Sequence, residues 1–117
     1  MKLQIQAHSL RLRLGEDELA RLLDGHALIG RTATPLGPIA WRLALGPAAA
    51  FDGTGPADWC LHVPEAEFRA FAAERPRRDG FALAFHVADE GASALEVSVD
   101  VDVRESRRKQ VADAAAP

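Results

Sequence analysis

One strand-to-helix handover occurs twice in this chain. "LRLGEDELARLL" at 12–23 aligns with "LHVPEAEFRAFA" at 61–72, an offset of 49 residues. In both, the hydrophobic period changes from two to about 3.6 within a few residues, the mark of a strand running straight into an amphipathic helix. Leu19, Leu22 and Leu23 map onto Phe68, Phe71 and Ala72, and Glu16 and Glu18 onto Glu65 and Glu67. Gly15 maps onto Pro64, a residue favoured in a first helical turn. Two copies are too few for an open solenoid, so the repeat predicts two related halves around one core. Chance similarity between two short handovers is the alternative.

Alternation fills in the rest. Leu3 and Ile5 occupy odd positions and Leu10, Leu12 and Leu14 even ones, so the inward face flips between them and needs a bulge or a tight turn. A two-residue hairpin turn at Ala7 and His8 sets Ile5 opposite Leu10 and Leu3 opposite Leu12. A type I′ turn there requires positive φ at both positions. Glu16, Asp17 and Glu18 suit the positive end of a helix, and Gly25 suits its C-terminal stop. A strand at Ala27 to Ala33 and an alternating one at Ile39 to Leu45 are joined through "TPLGP". In the second half, "AAAFDGTGPADWCLHV" reads as an Ala-rich strand, a glycine turn at "DGTGP" and a strand. "DGTGP" has neither the ending of a P-loop nor the order of a dinucleotide loop. After "PRRDG", Phe81 to Val87 and Leu95 to Val103 form a final hairpin, with Val87 set against Leu95 and His86 against Glu96.

Each half therefore reads as ββαββ, and the fold class as α+β: a curved, mostly antiparallel sheet or partial barrel from two pseudo-symmetric halves, about 1–46 and 47–103, with two short helices. Residues 104–117, with no apolar stripe, read as a flexible tail. The expected core joins Leu3, Ile5, Leu10, Leu12, Leu14, Leu19, Leu22, Trp41, Leu43, Leu61, Val63, Phe68, Phe71, Phe81, Leu83, Phe85, Val97, Val99 and Val101.

A chain of 117 residues, 48% apolar, holds one domain with a real core. Its net charge of −3 gives no global basic field, which makes nucleic acid an unfavoured partner. No signal-peptide pattern or membrane-spanning run is present, and a single cysteine, Cys60, excludes an internal disulfide. The expected setting is a soluble protein of the cytoplasm.

The opening "MKLQIQAHSLRLRLGEDEL" resembles an uncharacterised bacterial family of small one-domain proteins. The matching residues are Met1, Lys2, Leu3, Ile5, Ser9, Leu10, Arg11, Leu12, Arg13, Leu14, Glu18 and Leu19, and the likeness extends more loosely to Val103. The family shows a Gly-Asn turn where this chain has Ala7-His8. It also shows an acidic-basic-acidic-aromatic run in the last strand, where "VSVDVDV" retains Asp100. The resemblance implies a fold and a bacterial origin, and no mechanism.

Two groups of residues carry chemistry. Arg11 and Arg13, with Lys2 across the hairpin and Arg42 as a possible extension, make a basic strip suited to a small anionic ligand or an acidic protein segment. No aromatic stripe accompanies it, so a platform for stacking bases is missing. In "ADWCLHV", an inward Trp59, Leu61 and Val63 leave Asp58, Cys60 and His62 on one face. Cysteine beside histidine can serve as a thiolate nucleophile, and the three can hold a metal, although successive same-face residues lie about 7 Å apart along a strand. A polar outer face, or a buried Cys60, explains the same residues without chemistry. His8, His26 and His86 complete a metal set only if the fold gathers them. Arg104, Arg107, Arg108 and Lys109 read as solvated tail charges. The favoured expectation is a non-enzymatic binding or interaction module at Arg11 and Arg13, possible as a homodimer through an edge strand, with no cofactor. The alternative is a small metal- or thiol-dependent enzyme at Cys60 and His62.

Overall fold

A computed structural model describes residues 1–74, 80–88 and 93–102. The element order is β1 (Lys2–Gln6), β2 (Ser9–Leu14), α1 (Glu16–Leu23), β3 (Leu28–Thr34), β4 (Gly37–Gly46), β5 (Ala50–Gly55), β6 (Asp58–Pro64), α2 (Glu65–Ala73), β7 (Phe81–His86) and β8 (Ala94–Val101). This is ββαββ twice over, in an α+β fold.

Each helix starts where its strand stops. Gly15 and Pro64 hold the extended entry residues of α1 and α2. At α1, the Glu18 carboxylate accepts the Gly15 amide at 3.0 Å, satisfying a donor that the helix itself leaves unpaired. At its other end, Gly25 takes φ +94° and donates to the Leu22 carbonyl, while the His26 amide reaches Arg21, both at 3.0 Å. That pair of bonds is a Schellman motif, and its left-handed residue is a natural place for glycine.

The strands form two open four-stranded sheets, ordered β1-β2-β8-β7 and β3-β4-β6-β5. Hairpin partners are antiparallel; the two inner pairs, β2–β8 and β4–β6, are parallel. Each sheet thus takes the first hairpin of one half and the second hairpin of the other. The inner registers coincide under the repeat: Leu12 faces Val99 in one sheet, and its counterpart Leu61 faces Leu43 in the other.

The inward faces of both sheets and the apolar stripes of both helices share one core. Leu14, Leu22, Leu43, Val63, Phe68 and Val99 have no measurable exposure. Phe51 of β5 meets Phe85 of β7 edge-on at 5.7 Å, tying the sheets together, and Phe68 and Phe71 of α2 close on Phe81 at 5.4 and 5.7 Å.

The β1–β2 hairpin has the expected register, Ile5 opposite Leu10 and Leu3 opposite Leu12. Its turn does not take the expected form, because neither Ala7 nor His8 has positive φ. Ile5, expected in the core, is 60% exposed, since β1 is an edge strand with β2 as its one neighbour. Most of "DGTGP" belongs to β5, with the turn displaced to Pro56 and Ala57 and a bulge between Gly53 and Gly55. In the last hairpin the register is two residues shorter than expected: Phe85 faces Leu95, and Glu96 faces Ala84 where His86 was expected. The tail expected from Arg104 onward, and most of the "PRRDG" and "ADEGA" turns, lie outside the described residues.

Candidate functional site

The two sheets turn equivalent outer faces to solvent, built as rows across four strands. On the first sheet, one row runs Gln6, Ser9, Glu96, Ala84 and the next Gln4, Arg11, Ser98, Ala82. A third begins Lys2, Arg13, Asp100. The first two rows line a groove of about 600 Å³, within the usual size range of small-molecule sites, about 300–1,000 Å³. Its shape follows from composition. The amides of Gln4 and Gln6 stand along β1, whereas β7 lines the groove with apolar residues, Ala82, Leu83 and Ala84.

Arg11 is oriented from one side. Its Nε lies 3.2 Å from Asp100 Oδ2, and the other Asp100 oxygen accepts the Ser98 hydroxyl at 2.7 Å. Gly80 packs over this pair so closely that a Cβ there would overlap Asp100 and Ser98. The Nε contact uses one of five guanidinium donors, and a fork of this kind suits a carboxylate or phosphate. Lys2 lies directly opposite Arg13, so the three residues of the basic strip do share a face. Arg42 does not extend it: it sits on β4 of the other sheet, 3.5 Å from Asp58.

The second sheet fills equivalent rows differently. Where the first has Gln4, Arg11, Ser98 and Ala82, the second has Asp52, Cys60, Arg42 and Ile29. Where the first has Arg13, the second has His62. Cys60 Sγ and His62 Nε2 approach to 3.3 Å, and His62 Nε2 lies 3.6 Å from Asp52 Oδ2. Asp58, the expected third member, is engaged elsewhere: it accepts the Thr54 hydroxyl at 2.5 Å and faces Arg42. Thr54 and Arg42 hold its pKa below the ordinary value, Thr54 most strongly. Burial first, then the Asp52 carboxylate, push the Cys60 thiol up; Arg42 pulls against them, and Asp58 adds a smaller push.

Among the described residues, His8, His26 and His86 do not join Asp52, Cys60 and His62. Sequence reading missed Gln4, Gln6, Ser9, Glu96 and Ser98, whose alternation with the core residues was a signal but whose residue types are ordinary on a strand surface. It missed Asp52 because that residue was read as part of a turn.

No helix among the described residues is long and apolar enough to cross a membrane. The chain matches no family model, no curated protein and no solved structure.

Proposed function

We propose that this chain is a non-enzymatic binding module that takes a small anionic ligand in the groove of the first sheet. The observation that carries the reading is the convergence in one concave face of a guanidinium, two amides and two hydroxyls around Arg11, with Asp100 behind it. Arg11 supplies the charge that selects an anion, and the neutral groups supply hydrogen bonds that select its shape. Glu96, which lines the groove from the inner strand β8, favours a ligand that also carries hydroxyl or amino donors. Arg13 and Lys2 extend the positive strip beyond the groove, which suits an acidic protein segment as the other kind of occupant. The resemblance of the opening residues to a small bacterial family, together with the lone cysteine, supports a bacterial, cytoplasmic setting.

The thiol-nucleophile reading of Cys60 and His62 is less favoured, because the surroundings that raise the Cys60 pKa disfavour the thiolate such chemistry needs.

Thermal unfolding with inorganic phosphate, citrate, a sugar phosphate and a poly-glutamate peptide tests the proposal. A ligand at about 100 times its dissociation constant adds about 2.7 kcal/mol, a midpoint rise of about 10 °C for a domain this size. Arg11 is half exposed, so Arg11→Gln should change intrinsic stability by no more than about 0.5 kcal/mol while abolishing the rise. The proposal fails if no anion moves the midpoint, or if one moves it equally in the variant.

A further inference from the structure

The face of the second sheet answers to the same grid as the groove, yet three of its positions carry nitrogen, sulfur and oxygen donors. Asp52 and Cys60 are directly opposed in the antiparallel β5–β6 pair, and His62 follows two residues along β6. Their donor atoms all lie within 4.8 Å of one another. His62 Nε2 lies 3.3 Å from Cys60 Sγ and 3.6 Å from Asp52 Oδ2. A tetrahedral zinc site with bonds of about 2.0–2.3 Å separates its ligand atoms by about 3.3–3.8 Å. The two His62 spacings are therefore close to edges of such a tetrahedron, and the third edge, within 4.8 Å, closes on a metal by a side-chain adjustment of about 1 Å or less.

We propose that Asp52, Cys60 and His62 form a three-ligand site for a zinc-class divalent transition metal, with the fourth position open to solvent. The donor set selects for that class, because thiolate and imidazole suit zinc and its neighbours while magnesium and calcium want oxygen alone. Charge balances: a Cys60 thiolate and an Asp52 carboxylate neutralise the dication, and neutral His62 contributes the Nε2 lone pair. On binding, the Cys60 proton leaves to solvent; no electrons change hands. Arg42, the β4 partner of Cys60, is directed to Asp58. Strand residues in a defined register supply all three ligands, which is the rigid mounting a metal site needs. The pseudo-symmetric comparison adds a reason to read these residues together. At the counterparts of Asp52, Cys60 and His62 the first sheet has Gln4, Arg11 and Arg13, none of them a metal ligand, so one framework presents an anion-binding face and a cation-binding face.

The test is a titration of the tag-free, reduced full chain with Co²⁺, followed by absorption, with Zn²⁺ as competitor. The expected result is a one-to-one complex with a near-ultraviolet thiolate-to-cobalt charge-transfer band that Zn²⁺ abolishes. Cys60→Ser should lose the band, and His62→Gln and Asp52→Asn should each weaken binding by about a hundredfold or more, since even outer-shell partners cost about 10- to 100-fold. Each variant is checked by far-ultraviolet circular dichroism, and alkylation of Cys60 in the parent chain replaces any variant that does not fold. Absence of the band in the parent chain overturns the proposal, as does unchanged Co²⁺ affinity in folded His62→Gln. Arg11→Gln should leave the band unchanged, which separates this site from the groove.

Discussion

Glu18 works at the junction of three parts of the chain. One carboxylate oxygen accepts the Gly15 amide at the start of α1, and the other meets the Met1 ammonium at the start of β1. Burial raises its pKa, but those hydrogen bonds and the charges of Met1 and Arg21 outweigh burial and leave it below 4.5. A carboxyl whose folded pKa is depressed adds stability that is present above its unfolded pKa and lost as pH falls through the folded one. Glu18→Gln should therefore unfold at a lower temperature than the parent chain at about pH 7, with the gap closing as pH falls through the folded pKa and the parent's carboxylate protonates. Midpoints measured across that range check this. A gap that persists in acid would assign the effect to packing instead.

At the scale of elements, β5 holds Asp52 opposite Cys60 in regular register, just ahead of its bulge. Gly53 lies beside it at φ +148°, where an added Cβ would overlap the Asp58 carbonyl oxygen on the facing strand. Gly53→Ala should cost about 2 kcal/mol or more, combining backbone strain with a clash against main chain that cannot swing aside, and denaturant unfolding measures it. The sequence shows two glycines and a proline directly after Asp52, the marks of a turn, which is why Asp52 was hidden within one. The elements themselves were largely legible. Apolar parity dictated the pairing of Leu3 with Leu12 and Ile5 with Leu10, and the change of period located both helices. The last hairpin shows the limit of that signal. Sliding Phe85 from Val97 to Leu95 is a two-residue shift, which leaves every side chain on the same face and the hydrophobic pattern unchanged. Cys60 and His62 were visible as neighbours on one face, but the third donor came from another strand, and parity says nothing about which strands adjoin.

Across the whole molecule, the parallel pairs β2–β8 and β4–β6 carry the architecture, and both join one half to the other. No sheet is complete within a half, so the two should unfold as one cooperative unit. Pairing Leu10 with Val97 also requires contacts across nearly the full chain, which predicts slow folding for a domain of this size. The assignment of Arg42 to the second sheet follows from the same interlocking, and nothing local in "IAWRLAL" announces it. The interlocking has one more consequence. Val101 pairs with Leu14 and Lys2 with Arg13, so β8 and β1 flank β2 at one end of their sheet. Gly46 and Ala50 flank β6 in the same way, and there the short segment Pro47, Ala48 and Ala49 makes the connection. Topologically the domain is a ring cut once. A circular permutant that opens the chain at Ala48 and joins Val101 to Lys2 through a linker of similar length should recover the parent's circular dichroism and a cooperative transition. The β4–β5 connection and the gap between β8 and β1 would then be interchangeable positions for a break in the backbone.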